Sequence, residues 1–167
     1  MRTLRAIFFL AKLTLGVEAL GLFHRGFEAQ ERESQKESCA NFATVPIPPY
    51  RLVRQWRTDL KPMPVVFVSV KPNDVSRDSM IALGCRIGGK YSSEHSLDVY
   101  ILDNRKAAKI YSPAQEGNSG KTEKSLRALY EFSRENDHQW LDWRPDPNRP
   151  SKWVRIDLGK APLALKP

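Results

Sequence analysis

The chain has few of the signatures that announce a chemistry. It holds two cysteines and three histidines in 167 residues, and His24, His95 and His138 lack the two-histidine helical spacing of a hydrolytic zinc site. Ser69, Ser76, Ser79 and Ser112 have no glycines two residues to either side, as a nucleophile elbow requires. Gly117-Asn118-Ser119-Gly120-Lys121-Thr122 ends like a phosphate-cradling loop. That pattern needs a glycine five residues before Gly120, where Gln115 stands, and a strand leading in, where Pro113 stands. There is no internal repeat, no low-complexity tract and no run of five like charges. These gaps leave no motif for nucleotide binding, zinc hydrolysis or a serine nucleophile, and they imply no metal and no cofactor.

An uninterrupted apolar span is also missing. Arg2 and Arg5 precede Ala6 to Ala11, and Leu13 to Leu22 continue the run, but Lys12 and Glu18 break it. A cationic start, a short apolar stretch and small residues near Ala19 and Gly21 form the layout of an export signal. The alternatives are a retained anchor through residues 1–27 and the buried first helix of a cytosolic protein. Export predicts a secreted or periplasmic location. The chain carries 27 Lys and Arg against 19 Asp and Glu, a net charge of +8. The leader's three cations and one carboxylate account for two of those charges, so the basic excess survives processing. Such an excess favours acidic partners, namely an anionic polymer or a membrane surface, with nucleic acid as a third class. In an oxidising compartment the even cysteine count permits one bridge, Cys39 to Cys85.

The pattern divides the chain into a signal or anchor over 1–21, a polar and Pro-rich spacer over 22–62, a domain over 63–160 and a tail over 161–167. Tyr50 to Lys61 is ambiguous. Val53, Trp56 and Leu60 have helical spacing, whereas Leu52, Arg54 and Trp56 alternate as on an edge strand. If helical, the segment groups Arg51, Arg54, Arg57 and Lys61 on one face. Pro64 to Val70 is a β-branched run suited to a central strand buried on both faces. Asn73 to Ser76 offer N-caps for a helix over Arg77 to Lys90, with Met80, Ile81, Leu83, Gly84 and Ile87 on its apolar face and Gly88-Gly89 marking its end. Leu97 to Leu102 follows as a strand, completing a βαβ unit. Asp103-Asn104 caps a short helix ending near Tyr111. Ser125 to Arg134 reads better as a strand than as a helix. With Trp140 to Arg144 and Lys152 to Leu158 it makes an antiparallel meander. The fold class is α/β: a βαβ unit, then a meander, in one small sheet with helices packed on it.

Alternation in the last two strands predicts two faces. Leu141, Trp143, Val154, Ile156 and Leu158 point into the core, leaving Trp140, Asp142, Arg144, Trp153, Arg155 and Asp157 on the other side. Trp140, Arg144, Trp153 and Arg155 are the candidate ligand-binding residues, because arginines interleaved with aromatics stack on rings and grip anions. The structural alternative is that the charges pair across strands and the tryptophans are covered. His138 beside Asp137 and Asp142 is a weaker candidate general base, since hairpin turns are built from such residues. Val68 to Leu83, taken with Leu97 to Tyr111, resembles small exported bacterial proteins of unassigned activity. The resemblance implies an exported α/β domain and transfers no functional residue. The expected role is a non-enzymatic binding or accessory module with a basic and aromatic surface. The alternatives are an exported hydrolase-like enzyme whose site converges only in three dimensions, and a cytosolic nucleic-acid-binding protein.

Overall fold

A computed structural model describes residues 34–58, 63–113, 120–149 and 152–163. The predicted leader, Lys61 and most of the Gly117 loop lie outside the described residues. Seven strands form one mixed sheet: β1 (Ser34–Lys36), β2 (Tyr50–Arg57), β3 (Pro64–Val70), β4 (Ser96–Leu102), β5 (Leu126–Ser133), β6 (His138–Trp143) and β7 (Val154–Gly159), in the spatial order β1-β7-β6-β5-β4-β3-β2. The helices are α1 (Arg77–Lys90), α2 (Arg105–Ile110) and α3 (Gly120–Lys124). β3 and β4 are parallel neighbours joined through α1, and β4 to β7 pair antiparallel in sequence. The βαβ unit and the meander are both present, and no described helix is long and apolar enough to cross a membrane.

The hydrophobic pattern explains which elements lie inside. All seven residues of β3 are buried, because α1 covers one face of the strand and α2 the other. β3 is not the centre of the sheet, however; it stands next to the edge, and β5 occupies the middle. Continuous burial along a strand reports cover on both faces, which here comes from helices. α1 starts at a reciprocal cap, in which Ser76 Oγ accepts from the Ser79 N–H and Ser79 Oγ accepts from the Ser76 N–H, at 3.2 and 3.0 Å. The predicted apolar residues Met80, Ile81, Leu83, Gly84 and Ile87 are all buried.

The helix ends at Lys90 as expected, just past Gly88-Gly89. The glycines at 84 and 88 also serve a close approach. The Tyr130 ring of β5 lies across them so tightly that a Cβ on Gly84 would sit 2.8 Å from Tyr130 Cδ2, and one on Gly88 2.0 Å from Tyr130 Oη. A side chain at either position would displace the ring from the core.

The sheet extends further toward the N-terminus than the predicted boundary at residue 63. β2 is a strand, paired antiparallel with β3, so Arg51, Arg54 and Arg57 do not form a helical face. A register shift between Leu52 and Arg54 turns the alternation over within the strand, which is why neither periodicity fits the segment cleanly. β1 lies inside the predicted spacer and pairs parallel with β7, Gln35 opposite Ile156. Cys39 and Cys85 are joined in a disulfide with their Cα atoms 5.6 Å apart. This bridge and the Arg77 guanidinium, 2.9 Å from Glu37 Oε1 and from Gln35 Oε1, hold the segment after β1 to the start and middle of α1.

Candidate functional site

Two apolar layers flank the sheet. The larger comprises α1 with Val66, Val68, Leu97, Val99, Tyr130, Phe132, Leu141, Trp143, Ile156 and Leu158, so the predicted inward set of β6 and β7 is found in the core, with Val154 packed at its margin. The smaller layer, on the opposite face, contains Val65, Phe67, Tyr100, Leu102, Ala107, Ala108, Tyr111 and Leu126. The α2 and α3 helices pack there against β2, β3, β4 and β5. Asn104 Oδ1 caps α2 by accepting from the Lys106 and Ala107 N–H groups, which aims Ala107 and Ala108 at the sheet.

On this second face the register lines up two rows of side chains. One runs Trp56, Val65, Asp98, Glu131, Trp140, Asp157 across β2, β3, β4, β5, β6 and β7. The neighbouring row runs Arg54, Phe67, Tyr100, Leu129, Asp142, Arg155 across the same strands. Toward β2 the rows are aromatic: Phe67 stacks on Trp56 at 4.8 Å and on Tyr100 at 4.9 Å, with the Arg54 guanidinium 4.1 Å from the Phe67 ring centre. Toward β7 they turn polar. This half of the face, built on β4 to β7, is the candidate site.

Trp140 stands at its middle. Its indole N–H donates to the Glu131 carboxylate across the strand pair. The His138 ring stacks on it with ring centres 3.6 Å apart, and the Arg155 guanidinium lies 4.4 Å from its centroid. Arg155 also grips Asp142 with two parallel bonds, Nε to Oδ1 and Nη2 to Oδ2, both 2.8 Å, the fork geometry that makes such pairs strong. Burial and the nearby Arg155 charge lower the His138 pKa, against the pull of Asp157. The imidazole is therefore neutral at neutral pH and acts as a flat stacking partner.

Asp98 and Glu131 face each other directly in the β4–β5 register. Burial raises the Asp98 carboxyl to about 7, with the charge of Glu131 adding to the effect. Two carboxyls facing each other on adjacent strands disfavour simultaneous ionisation. Asp98 is accordingly the group on this face whose charge changes near neutrality.

The predicted contact residues separate. Trp140 and Arg155 are on this face and touch each other. Trp153 packs partly buried against the smaller apolar layer, with the Arg144 guanidinium 4.2 Å from its ring centre. Arg144 itself is 1% exposed, and it donates to the Glu123 carbonyl oxygen. The expectation that Arg144 meets a ligand is therefore corrected: it follows the last paired residue of β6, and the chain turns its side chain under Trp153 and α3. Burial lowers its pKa from the ordinary arginine range. Asp142, considered as an orienter of His138, is committed to Arg155. Among the described residues no group of three or more His, Cys, Asp or Glu could hold a metal ion.

No family model, no curated protein and no solved structure matches this chain. The reading of the site therefore rests on its own geometry. In its two rows Asp98, Glu131, Asp142 and Asp157 stand with Arg155, which is paired with Asp142. The basic excess lies elsewhere. Asp98 and Glu131 were not singled out from the sequence. The available signal was phase, since Asp98 is the one charged residue in Ser96–Leu102 and alternates with buried Leu97 and Val99. Which strand would face it was not written in that pattern.

Proposed function

We propose that this protein is an exported, non-enzymatic binding module whose β4–β7 sheet face holds an organic cation, an amine or guanidinium, against the Asp98–Glu131 carboxyl pair with Trp140 as the stacking wall. The observation that carries this reading is the row Asp98, Glu131, Trp140 on three adjacent strands. Carboxylates beside an aromatic ring are the two chemistries that recognise a positive group. Arg155 shows the principle within the chain, lying on Trp140 and paired with Asp142. An incoming cation would favour the ionised form of Asp98, which burial and, secondarily, the Glu131 charge disfavour. The apolar N-terminal run and the Cys39–Cys85 bridge support export, because disulfides persist in oxidising compartments.

Calorimetric titration of the mature protein with spermidine, a neutral oligosaccharide and heparin tests the ligand class. Spermidine is expected to bind, with affinity falling about tenfold in Asp98→Asn, equivalent to about 1.4 kcal/mol. Because the cation prefers ionised Asp98, affinity should also fall as pH drops below 7. Heparin binding in place of spermidine, unaffected by Asp98→Asn, would overturn the assignment and return the site to the basic surface. A second reading, the hydrolase-like enzyme, is favoured by the same pair, since a carboxyl poised near neutrality beside another carboxylate suits general acid–base chemistry. Conversion of a bound ligand to product, lost in Asp98→Asn, would select it.

A further inference from the structure

The Cys39–Cys85 bridge does more than close a loop. It borders a groove of about 390 Å³ whose lining includes Cys39, Cys85, Gly89, Gln139, Gly159 and Lys160. This groove belongs to the α1 side of the sheet and is separate from the carboxyl face. Gly89 stands one helical turn after Cys85, and a Cβ there would meet nothing within 4 Å. No side chain at that position screens the Cys85 sulfur from the groove. On the other side of the bond the buried Gln139 amide points at the disulfide, with Nε2 at 2.6 Å from Cys39 Sγ and 3.9 Å from Cys85 Sγ. An N–H aimed at one sulfur stabilises negative charge on that sulfur. In thiol–disulfide exchange the sulfur with the lower thiol pKa leaves faster. Both cysteines line the groove, and the two ends of the bond differ in their donor: the Gln139 amide lies nearer Cys39 Sγ, where it stabilises a departing thiolate.

We infer that the bridge is a redox site, reduced by a dithiol in the folded protein through attack at Cys85 with Cys39 as the leaving group. The dithiol's thiolate forms a bond to Cys85 Sγ as the Cys85–Cys39 bond breaks, and the electron pair of that bond goes to Cys39 Sγ, which later takes a proton from water. The second thiol of the reductant then attacks its own sulfur in the mixed disulfide and releases Cys85 as a thiolate, which is protonated in turn. Two electrons pass from the dithiol, which becomes a disulfide, to Cys39 and Cys85, which become thiols. Reduction removes the covalent link between α1 and the segment carrying β1 and Phe42. That segment is then held by the three-residue pairing of β1 to β7, the burial of Phe42 and the Arg77 contacts.

The test uses the oxidised mature protein with dithiothreitol, quenched by alkylation and read by intact mass, while far-UV circular dichroism follows the fold. The expected result is a reduction rate proportional to dithiothreitol concentration and flat at low urea, with the dichroism unchanged. A rate that is independent of dithiothreitol and rises with urea as global unfolding does would overturn the site, since the bond would then react only in the unfolded chain. Trapping with a single-thiol reagent should give the adduct on Cys85. An adduct confined to Cys39 would overturn the direction of attack. Gln139→Leu keeps the volume and removes the donor, and it should slow native-state reduction about tenfold, the effect of raising a leaving thiol's pKa by about two units. An unchanged rate in that variant, with the fold intact, would contradict the role of the amide.

Discussion

Asp98 pays for its position on the sheet in stability. Its folded pKa lies near 7, above the ordinary carboxylate value, so between about pH 4 and pH 7 the folded state binds more protons than the unfolded one. Stability from this group therefore falls as pH rises through that window and is lowest above 7. Asp98→Asn should stabilise the domain at pH 8 by about 1–2 kcal/mol, a figure reduced for the residue's partial exposure, and the difference should vanish below about pH 4. Denaturant unfolding of both proteins at the two pH values checks it. At Gly88 the constraint is steric. Gly88→Ala should destabilise by about 3 kcal/mol, the upper range for overpacking, because its Cβ would overlap the Tyr130 ring. The Tyr130 hydroxyl is buried with no hydrogen-bond partner among the described residues, so Tyr130→Phe should leave stability unchanged or raise it slightly, readable in the same unfolding experiments.

The elements were legible wherever the local pattern was long and self-consistent. The β-branched run of β3, the capped helix α1 and the alternation of β6 and β7 all announce themselves in single segments. β1 did not, because Ser34-Gln35-Lys36 has no apolar alternation and owes its conformation to pairing with β7. β2 was obscured by its register shift. The end of α1 was legible in Gly88-Gly89, but the need for glycine at 88 was not, because the sequence cannot show the tyrosine that lies across it. The face assignment of β6 and β7 yields a direct comparison. Trp143→Ala should cost about 3–5 kcal/mol, as its side chain is in the core. Arg155→Ala should cost about 1–3 kcal/mol, more than an exposed ion pair, because it leaves the buried Asp142 without its fork. Thermal and denaturant unfolding of the two variants tests both values, and the reverse order would reverse the faces.

At the scale of the whole molecule, charge was the least transferable signal. A net charge of +8 suggested a basic platform, yet the arginines of the expected platform are consumed inside the fold, Arg144 by burial and Arg155 by Asp142. What remains on that face is acidic and aromatic, and the Asp98–Glu131 pair that defines it required the β4–β5 register to be seen. The bridge spans 46 residues, and replacing both Cys39 and Cys85 by serine should lower stability by about 3–4 kcal/mol in the chain-entropy account, measurable by denaturant unfolding under oxidising conditions. Export predicts that intact mass from the native host shows the leader removed, with the chain beginning near Leu20 or Leu22; full-length protein recovered solely from cytosol would contradict it. The proposed role has a cation bind at the Asp98–Glu131 carboxyl pair, and the most direct measurement is the Asp98 pKa by carboxyl carbon NMR with and without spermidine. The account predicts a value near 7 that falls when spermidine is added, and an Asp98 that titrates near pH 4 and ignores spermidine would contradict it.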